Sequence, residues 1–231
     1  MSSPEKRWLV WQLADSAFPA GGFAHSAGLE AAWNLGCVSA RKGEAGGAHG
    51  VDFESYVEQS LWQMGNGALP FVRAAWTQER SLAALDALAD STLANHIANR
   101  ASRAQGRAFW STVARVFEVK GVRELDERAR STSMHYAPIF GATLAVLGLD
   151  ERETLSLYMH ASLRGTLSAA VRLGIVGPLE AQRLHAGRGA LLERIVESCA
   201  AIEPEDAAQT FPLADACGAL HDELYARLFQ S

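Results

Sequence analysis

Apolar residues recur at helical spacing along most of the chain, and long runs that alternate with a period of two are absent. The clearest pattern covers 150–173, where large apolar residues follow one another at steps of four: Leu155, Met159, Leu163, Leu167 and Val171. A second stripe consists of small residues: Ala161, Gly165 and Ala169. Small residues allow another helix to approach closely, and Asp150 is the expected N-cap. The pattern therefore predicts a central helix that is packed on two sides.

The same spacing predicts further helices, which proline and glycine separate. Their predicted positions are 8–17, 23–34, a helix capped by Asp52, a helix opened by Pro70, 82–89, 92–119, 136–147, 178–201 and a last helix from Pro212. Gly106 is a candidate interruption of the helix over 92–119, and Gly121 is its expected end. The last helix is expected to carry one apolar face: Leu213, Cys217, Leu220, Leu224 and Leu228. We predict an all-α fold, a single globular helical domain over 1–231 with about eight to ten helices.

The composition favours a globular protein that is not exported. Hydrophobic residues make up 48% and charged residues 20%, which excludes a disordered chain, and a net charge of -5 disfavours a nucleic-acid-binding protein. The cysteines Cys37, Cys199 and Cys217 are too far apart for a zinc motif and odd in number. No apolar run reaches the roughly 20 residues that span a bilayer. We expect a cytoplasmic protein with no nucleic-acid or membrane partner, and a flexible Gly-rich loop near 39–50.

Residues with catalytic or metal-binding chemistry are scattered along the chain. The seven histidines form neither an HxH nor an HExxH pattern, and no phosphate-binding loop or nucleophile elbow is present. The pair His221-Asp222 leaves one enzyme alternative, a small helical metal-dependent hydrolase. The simpler interpretation of this pair is a histidine beside an acid on a helix surface. A helical DNA-binding regulator is a third class, which the acidic balance disfavours. We predict a protein that is not an enzyme, with no catalytic residues and no preformed metal site.

Two segments depart from the pattern of a purely structural helix bundle. In 15–30, Pro19 and the pair Gly21-Gly22 break a helix, and Gly28 in the next helix costs about 1 kcal/mol relative to alanine. These costs suggest that the segment needs a turn and a close helix approach for its function. A tight helical hairpin with a purely structural role explains the segment equally well. In 221–231 the apolar pattern continues almost to the last residue, with residue types that are enriched in interfaces. Such a segment either docks on its own domain or binds a partner.

Taken together, these two segments resemble the urease accessory protein F family (UreF). The family's first signature, a Pro-x-Gly-Gly-Phe turn followed by Ser-x-Gly-Leu-Glu, is found at 19–23 and 26–30. Its C-terminal signature, Arg-Leu-Phe-x-Ser, is found at 227–231, with His221 and Tyr225 upstream. Further family motifs lie between them: Gln105-Gly106-Arg107, His135-Tyr136, Phe140-Gly141 and 168–173. The resemblance covers nearly the whole chain in matching order.

The resemblance implies a non-catalytic, all-helical protein that is required for maturation of urease. Members of the family act as scaffolds or chaperones in the assembly of the nickel metallocentre. A homodimer binds a second accessory protein, called D or H, and recruits and regulates the GTPase accessory protein G. The assembled complex delivers nickel to apo-urease. The resemblance therefore implies no tightly bound cofactor, while nickel passes through the complex.

The resemblance and the two unusual segments predict the partner-binding residues. On the predicted last helix, the residues expected to dock on the D/H protein and to become ordered there are His221, Tyr225, Arg227, Leu228 and Phe229. In the N-terminal turn, the residues expected to form a partner or dimer surface are Pro19, Gly21, Gly22, Phe23, His25, Ser26 and Glu30. The alternative that the glycines of this turn only close a hairpin remains open. A chain without 221–231 is expected to fold.

Overall fold

The computed structural model describes residues 3–40 and 50–231, and these residues are mostly helical. They form twelve α-helices, so the all-α class is confirmed while the predicted number of helices is too low. The helices are α1 (Ser3–Ala14), α2 (Leu29–Asn34), α3 (Phe53–Gly67), α4 (Leu69–Thr77), α5 (Leu82–Thr92), α6 (His96–Val116), α7 (Lys120–Ala129), α8 (Tyr136–Val146), α9 (Glu151–Arg172), α10 (Pro178–Ala186), α11 (Gly189–Cys199) and α12 (Pro212–Ala219). Two short strands that the sequence did not predict, β1 (Val38–Ser39) and β2 (Val51–Asp52), pair in parallel.

The predicted central helix is confirmed as α9, which packs against α3, α4, α8, α10 and α11. Asp150 caps it as predicted: its carboxylate accepts a bond of 2.8 Å from Glu153 N, and its own N–H donates to the Glu153 carboxylate at 3.1 Å. The stripe of small residues does not admit a helix at Gly165, because a Cβ there would meet no atom within 4 Å. That part of the prediction is wrong, since Gly165 lines a cavity.

The closest approaches between chain segments occur at glycines in α6 and α8. A Cβ on Gly106 would overlap the carbonyl oxygen of Met134, and a Cβ on Gly141 would overlap the carbonyl oxygen of Val72. Helix α6 continues through Gly106, so the predicted interruption is wrong. These glycines are needed for close packing, and only a residue without a side chain fits at such contacts.

The helix predicted over 23–34 begins only at Leu29. Before it, Gly21 and Gly28 have φ angles of 77° and 82°, in the left-handed region that favours glycine. These two residues turn the chain twice and leave a single 3₁₀ turn, Gly22–Ala24, between them. The sequence located the break correctly and placed the helix start too early.

Other helix and loop boundaries also differ from the predicted ones. The helix predicted over 178–201 is divided into α10 and α11 near Gly187. Gly121 lies in the first turn of α7 and does not end α6. Of the loop predicted near 39–50, residues 41–49 lie outside the described residues, and its first residue belongs to β1.

The last predicted helix is wrong beyond Ala219, where α12 ends. His221–Glu223 forms one 3₁₀ turn, and 224–231 contains no helix. The backbone N–H groups of residues 228–230 donate to acceptors in residues 24–30, and this pairing replaces the i to i−4 bonds of a helix. The apolar face predicted at helical spacing is therefore not formed.

All but one of the buried apolar side chains of the described residues, Ile97 being the exception, form one contiguous cluster, to which each α-helix contributes. Its large and fully buried members include Tyr56, Phe71, Phe109, Leu125 and Met159. Within residues 3–40 and 50–231, no helix combines the length and the apolar character needed to cross a bilayer. The fold is a mostly helical single domain.

Candidate functional site

The N-terminal turn, residues 19–30, contacts the C-terminal segment, residues 221–231, and we call this contact the terminal junction. Ser26 N donates to Ser231 O at 2.7 Å, and the Ser26 hydroxyl donates to the same oxygen at 2.8 Å. Both serines are buried. The two segments that the sequence singled out therefore form one site.

Glu30, in the first turn of α2, organises the terminal junction from a buried position. Its Oε2 lies 2.9 Å from His221 Nε2 and accepts from Phe229 N at 3.1 Å, while its Oε1 accepts from Leu228 N at 2.5 Å. A buried carboxylate persists only when hydrogen bonds replace its lost water, and these three bonds do so. The C-terminal segment is thus held within the single chain. The expectations that it orders only on binding, and that the fold does not need it, do not fit these contacts.

His221 and Asp222 face different partners. His221 is fully buried and directs Nε2 to Glu30, which places the proton on Nε2, and its Nδ1 has no partner among the described residues. Asp222 accepts two bonds of 2.9 Å from Arg100 and one of 2.8 Å from Arg227. The Arg100 bonds foremost hold the pKa of Asp222 below its usual value. The interpretation of His221 as a helix-surface histidine is therefore wrong.

Arg172, at the end of α9, stacks between two aromatic rings of the terminal junction. Its guanidinium carbon lies 3.9 Å from the ring centroid of Phe23 and 4.1 Å from that of Phe229. One guanidinium nitrogen also donates to the Phe23 carbonyl oxygen at 2.5 Å. The sequence gave no signal for this contact beyond the family motif over 168–173, because a basic residue in the last turn of a helix is common.

The structure divides the predicted site residues into groups by exposure. The buried residues are Ser26, Glu30, His221 and Phe229. The exposed residues are Pro19, Phe23, Tyr225, Arg227 and Leu228. The intermediate residues are Gly21, Gly22 and His25. The buried group builds the terminal junction, and the exposed group is the part that another protein can reach.

The two glycines of the N-terminal turn pack closely against α6. A Cβ on Gly21 would lie 2.8 Å from Ala108 Cβ, and one on Gly22 would lie 3.1 Å from Gln105 Nε2. This contact favours the interpretation that the glycines close a hairpin. Phe23 directly follows them, and 72% of its surface remains exposed.

A cavity of about 190 Å³ extends from the terminal junction into the helical core, between α3, α4, α6, α8 and α12. An adjoining cavity of about 130 Å³ shares with it the rings of Tyr136 and Tyr158. Burial raises the pKa of both tyrosine hydroxyls. Within the described ranges, no three His, Cys, Asp or Glu side chains converge as metal ligands. His49, one of the seven histidines, lies outside these ranges.

His25 makes the stability of the terminal junction dependent on pH. Its Nδ1 lies 2.7 Å from Ser231 Oγ, and its pKa lies below the usual 6.5 because burial disfavours the charged ring, with smaller effects of Arg100 and His221. The unfolded chain therefore binds more protons, so stability is full above pH 6.5 and falls as the pH decreases below it. We expect His25→Asn to flatten the decline of the urea midpoint between about pH 7 and pH 5.

The matched control for this measurement is His96→Asn, because His96 is an exposed histidine on α6. It should leave the slope of the urea midpoint against pH unchanged. Part of the slope should remain in His25→Asn as well, because burial also lowers the pKa of His160. An unchanged slope in His25→Asn would contradict the assignment.

Comparison with known proteins finds relatives that match most of the chain. The sequence model of the UreF family matches residues 48–187. Urease accessory protein F of Arabidopsis thaliana is 35% identical, over 97% of this chain and 92% of the plant protein. The protein of the same name from Oryza sativa subsp. indica is 36% identical, over 96% and 84%. Urease accessory protein UreF of Agrobacterium fabrum is 30% identical, over 97% and 95%. Because these matches cover most of its length, the chain belongs to the UreF family.

Proposed function

We propose that this protein is a urease accessory protein that acts, without catalysis of its own, in the assembly of the nickel metallocentre of urease. Family membership supports the role in urease maturation, since the relatives from plants and bacteria carry the name of urease accessory proteins. The protein serves as a scaffold that brings the other maturation factors together. No tightly bound cofactor is part of this proposal, and nickel passes through the complex.

The observation that carries the proposal is a set of exposed apolar side chains on the two segments of the terminal junction. Tyr225 is fully exposed, and Leu228 and Phe23 are 53% and 72% exposed. The backbone N–H groups of Leu228 and Phe229 donate to the Glu30 carboxylate, which fixes the backbone at Leu228. Exposed aromatic side chains are enriched in the cores of protein interfaces, and a preorganised backbone lowers the entropic cost of binding. We assign this surface to the D/H accessory protein.

The remaining partners follow from the family and from the scaffold role. The protein forms a homodimer, recruits the GTPase accessory protein G and regulates its GTP hydrolysis, and the complex acts on apo-urease. Co-expression with the D/H and G proteins tests this assembly, with complex mass and nickel-dependent urease activation as readouts. A protein that activates urease without forming a complex with D/H and G would overturn the proposal.

The double variant Tyr225→Ala, Leu228→Ala is expected to bind the D/H protein about tenfold or more weakly, because hot-spot side chains each contribute on the order of 1–2 kcal/mol. Its stability should change by less than about 0.5 kcal/mol per substitution, since both side chains are exposed. Titration calorimetry with the purified D/H protein measures the affinity, and urea unfolding measures the stability.

Leu179→Ala is the matched control, because Leu179 is 76% exposed on α10 and belongs to neither segment of the terminal junction. This control should bind the D/H protein with the affinity of the wild type. If the double variant and the control bound the D/H protein with equal affinity, these side chains would not be its binding site.

The hydrolase alternative required His221 and Asp222 to act together on a metal. The side chain of His221 bonds to Glu30, whereas that of Asp222 bonds to Arg100. The two side chains therefore do not face a common metal ion. A GTPase assay of the purified chain without the G protein separates the two classes. Negligible turnover is expected for a scaffold, and sustained turnover would restore the enzyme alternative.

A further inference from the structure

Three polar side chains, from α5, α6 and the residue that precedes α8, form a hydrogen-bonded series. Asp90 Oδ1 lies 2.9 Å from His135 Nε2, and His135 Nδ1 lies 3.1 Å from Ser102 Oγ. Because an ionised carboxylate only accepts, the neutral imidazole carries its proton on Nε2, and Nδ1 accepts from the Ser102 hydroxyl. A carboxylate, an imidazole and a hydroxyl in this order form the arrangement that activates a serine as a nucleophile.

The backbone before α8 is held by a different carboxylate. The N–H groups of Ser133 and His135 donate to the Asp86 carboxylate at 2.5 Å and 2.7 Å. Asn99 Nδ2 donates to Asp90 at 3.0 Å, and the bond from His135 foremost keeps the pKa of Asp90 below its usual value. The imidazole of His135 is thus oriented by an ionised Asp90, whereas Asp86 fixes the chain that carries it.

Ser102 is the member of this series that lies at a cavity and is not fully buried. It is partly exposed and lines the cavity of about 190 Å³, as does His135. Tyr136 N, at the first position of α8, donates to Ser102 Oγ at 3.2 Å. The positive end of the helix dipole at this position stabilises negative charge that develops on the serine oxygen.

The same cavity limits which molecules can approach Ser102. Its lining is mostly apolar and includes Met64, Phe71, Ala98, Ala101 and Pro138. Apolar cavities of roughly 150 Å³ hold a molecule as large as benzene, so this one has room for a short acyl chain or an aromatic ring. A charged ligand would lose its water there without full replacement. The site therefore favours small uncharged molecules.

We propose that Ser102 is a nucleophile that accepts the acyl group of a small uncharged ester, with His135 as its base. The Ser102 oxygen attacks the carbonyl carbon, and the hydroxyl proton passes to His135 Nδ1. The bond between the carbonyl carbon and the alcohol oxygen then breaks, and the alcohol leaves with that proton. One ester and one serine thus give one acyl-serine and one alcohol, and the imidazole is neutral again. This inference does not rest on the proposed function, because it concerns the chemistry of one serine.

The test is incubation of the full chain with p-nitrophenyl butyrate at neutral pH. Release of p-nitrophenolate measures the rate of acylation, and mass spectrometry of the intact chain counts the butyryl groups. One butyryl group per chain is expected, and peptide mapping should place it on Ser102. In Ser102→Ala the rate should fall by about a hundredfold or more, which is the contribution typical of a nucleophile with a positioned base.

Asp90→Asn tests the series without removal of the nucleophile. The asparagine amide can donate to His135 Nε2, which places the ring proton on Nδ1, so the rate of acylation should fall about tenfold or more. The melting temperature should stay within about 3 °C of the wild type, because the Asp90 side chain is 46% exposed.

Ser162→Ala is the matched control, because Ser162 lines the adjoining cavity and donates to Tyr158 O in its own helix at 2.9 Å. It should be acylated at the rate of the wild type. Butyryl groups on other residues with Ser102 unmodified, or equal rates in the wild type and Asp90→Asn, would overturn the proposal.

Discussion

Glu30→Ala is expected to lower the free energy of unfolding by about 3 kcal/mol or more. The substitution leaves the imidazole of His221 and the backbone N–H of Phe229 buried without an acceptor. Equilibrium urea unfolding followed by circular dichroism measures the loss. Hydrogen exchange of the backbone amides should accelerate over 224–231 far more than in α9, because these residues lose their anchor while the central helix keeps its own bonds.

Glu30→Gln separates the hydrogen bonds from the shape of the side chain. Its amide oxygen still accepts, but its NH₂ group cannot, so a loss between that of alanine and that of the wild type is expected. Glu58→Ala on α3 is the control, because Glu58 is exposed. If Glu30→Ala cost no more than the control, the terminal junction would not depend on the carboxylate.

Gly141→Ala is expected to destabilise the fold by about 3 kcal/mol or more, because its Cβ would overlap the carbonyl oxygen of Val72. Helix α4 cannot yield easily, since Val72 and its neighbour Phe71 are both buried in the core. The gain in helix propensity of about 1 kcal/mol from glycine to alanine is too small to offset this clash. Thermal unfolding should show a melting temperature lower by about 6 °C or more.

Gly165→Ala provides the opposite result with the same chemical change. Gly165 also lies inside a helix, but a Cβ there would meet no atom within 4 Å. The variant should gain about 1 kcal/mol of stability from helix propensity alone. Equal changes in the two alanine variants would show that the contact between α4 and α8 is looser than the structure describes.

Local signals predicted the elements that depend on local interactions. The helix α9 followed from its apolar stripe and from the cap at Asp150, which in the structure is part of a capping box with Glu153. The helix α8 followed from a nearly continuous apolar run, and nine of its eleven residues are buried. Asp52 was also recognised as an N-cap, and its side chain accepts from Ser55 N at 2.9 Å. In each case the residues that decide the structure lie within a few positions of one another.

Long-range interactions account for what the sequence did not predict. The spacing of Leu220, Leu224 and Leu228 is that of a helix, but Glu30 takes the backbone donors that a helix would need. Nothing near Glu30 in the sequence indicates a partner 191 positions away. Gly106 posed a similar problem, because a glycine that breaks a helix and one that admits a close neighbour look the same in a sequence.

The terminal junction also determines when, during synthesis, the fold is completed. Its bonds connect residues separated by 205 and 206 positions, at Ser26 and His25 with Ser231. Contacts between residues so far apart in the sequence cannot form until residue 231 has left the ribosome, whereas α3 to α9 can pack earlier. The residues around Tyr225 are therefore placed after the helices of the core. A chain cut before residue 221 would leave the buried Glu30 carboxylate without the donors of His221, Leu228 and Phe229.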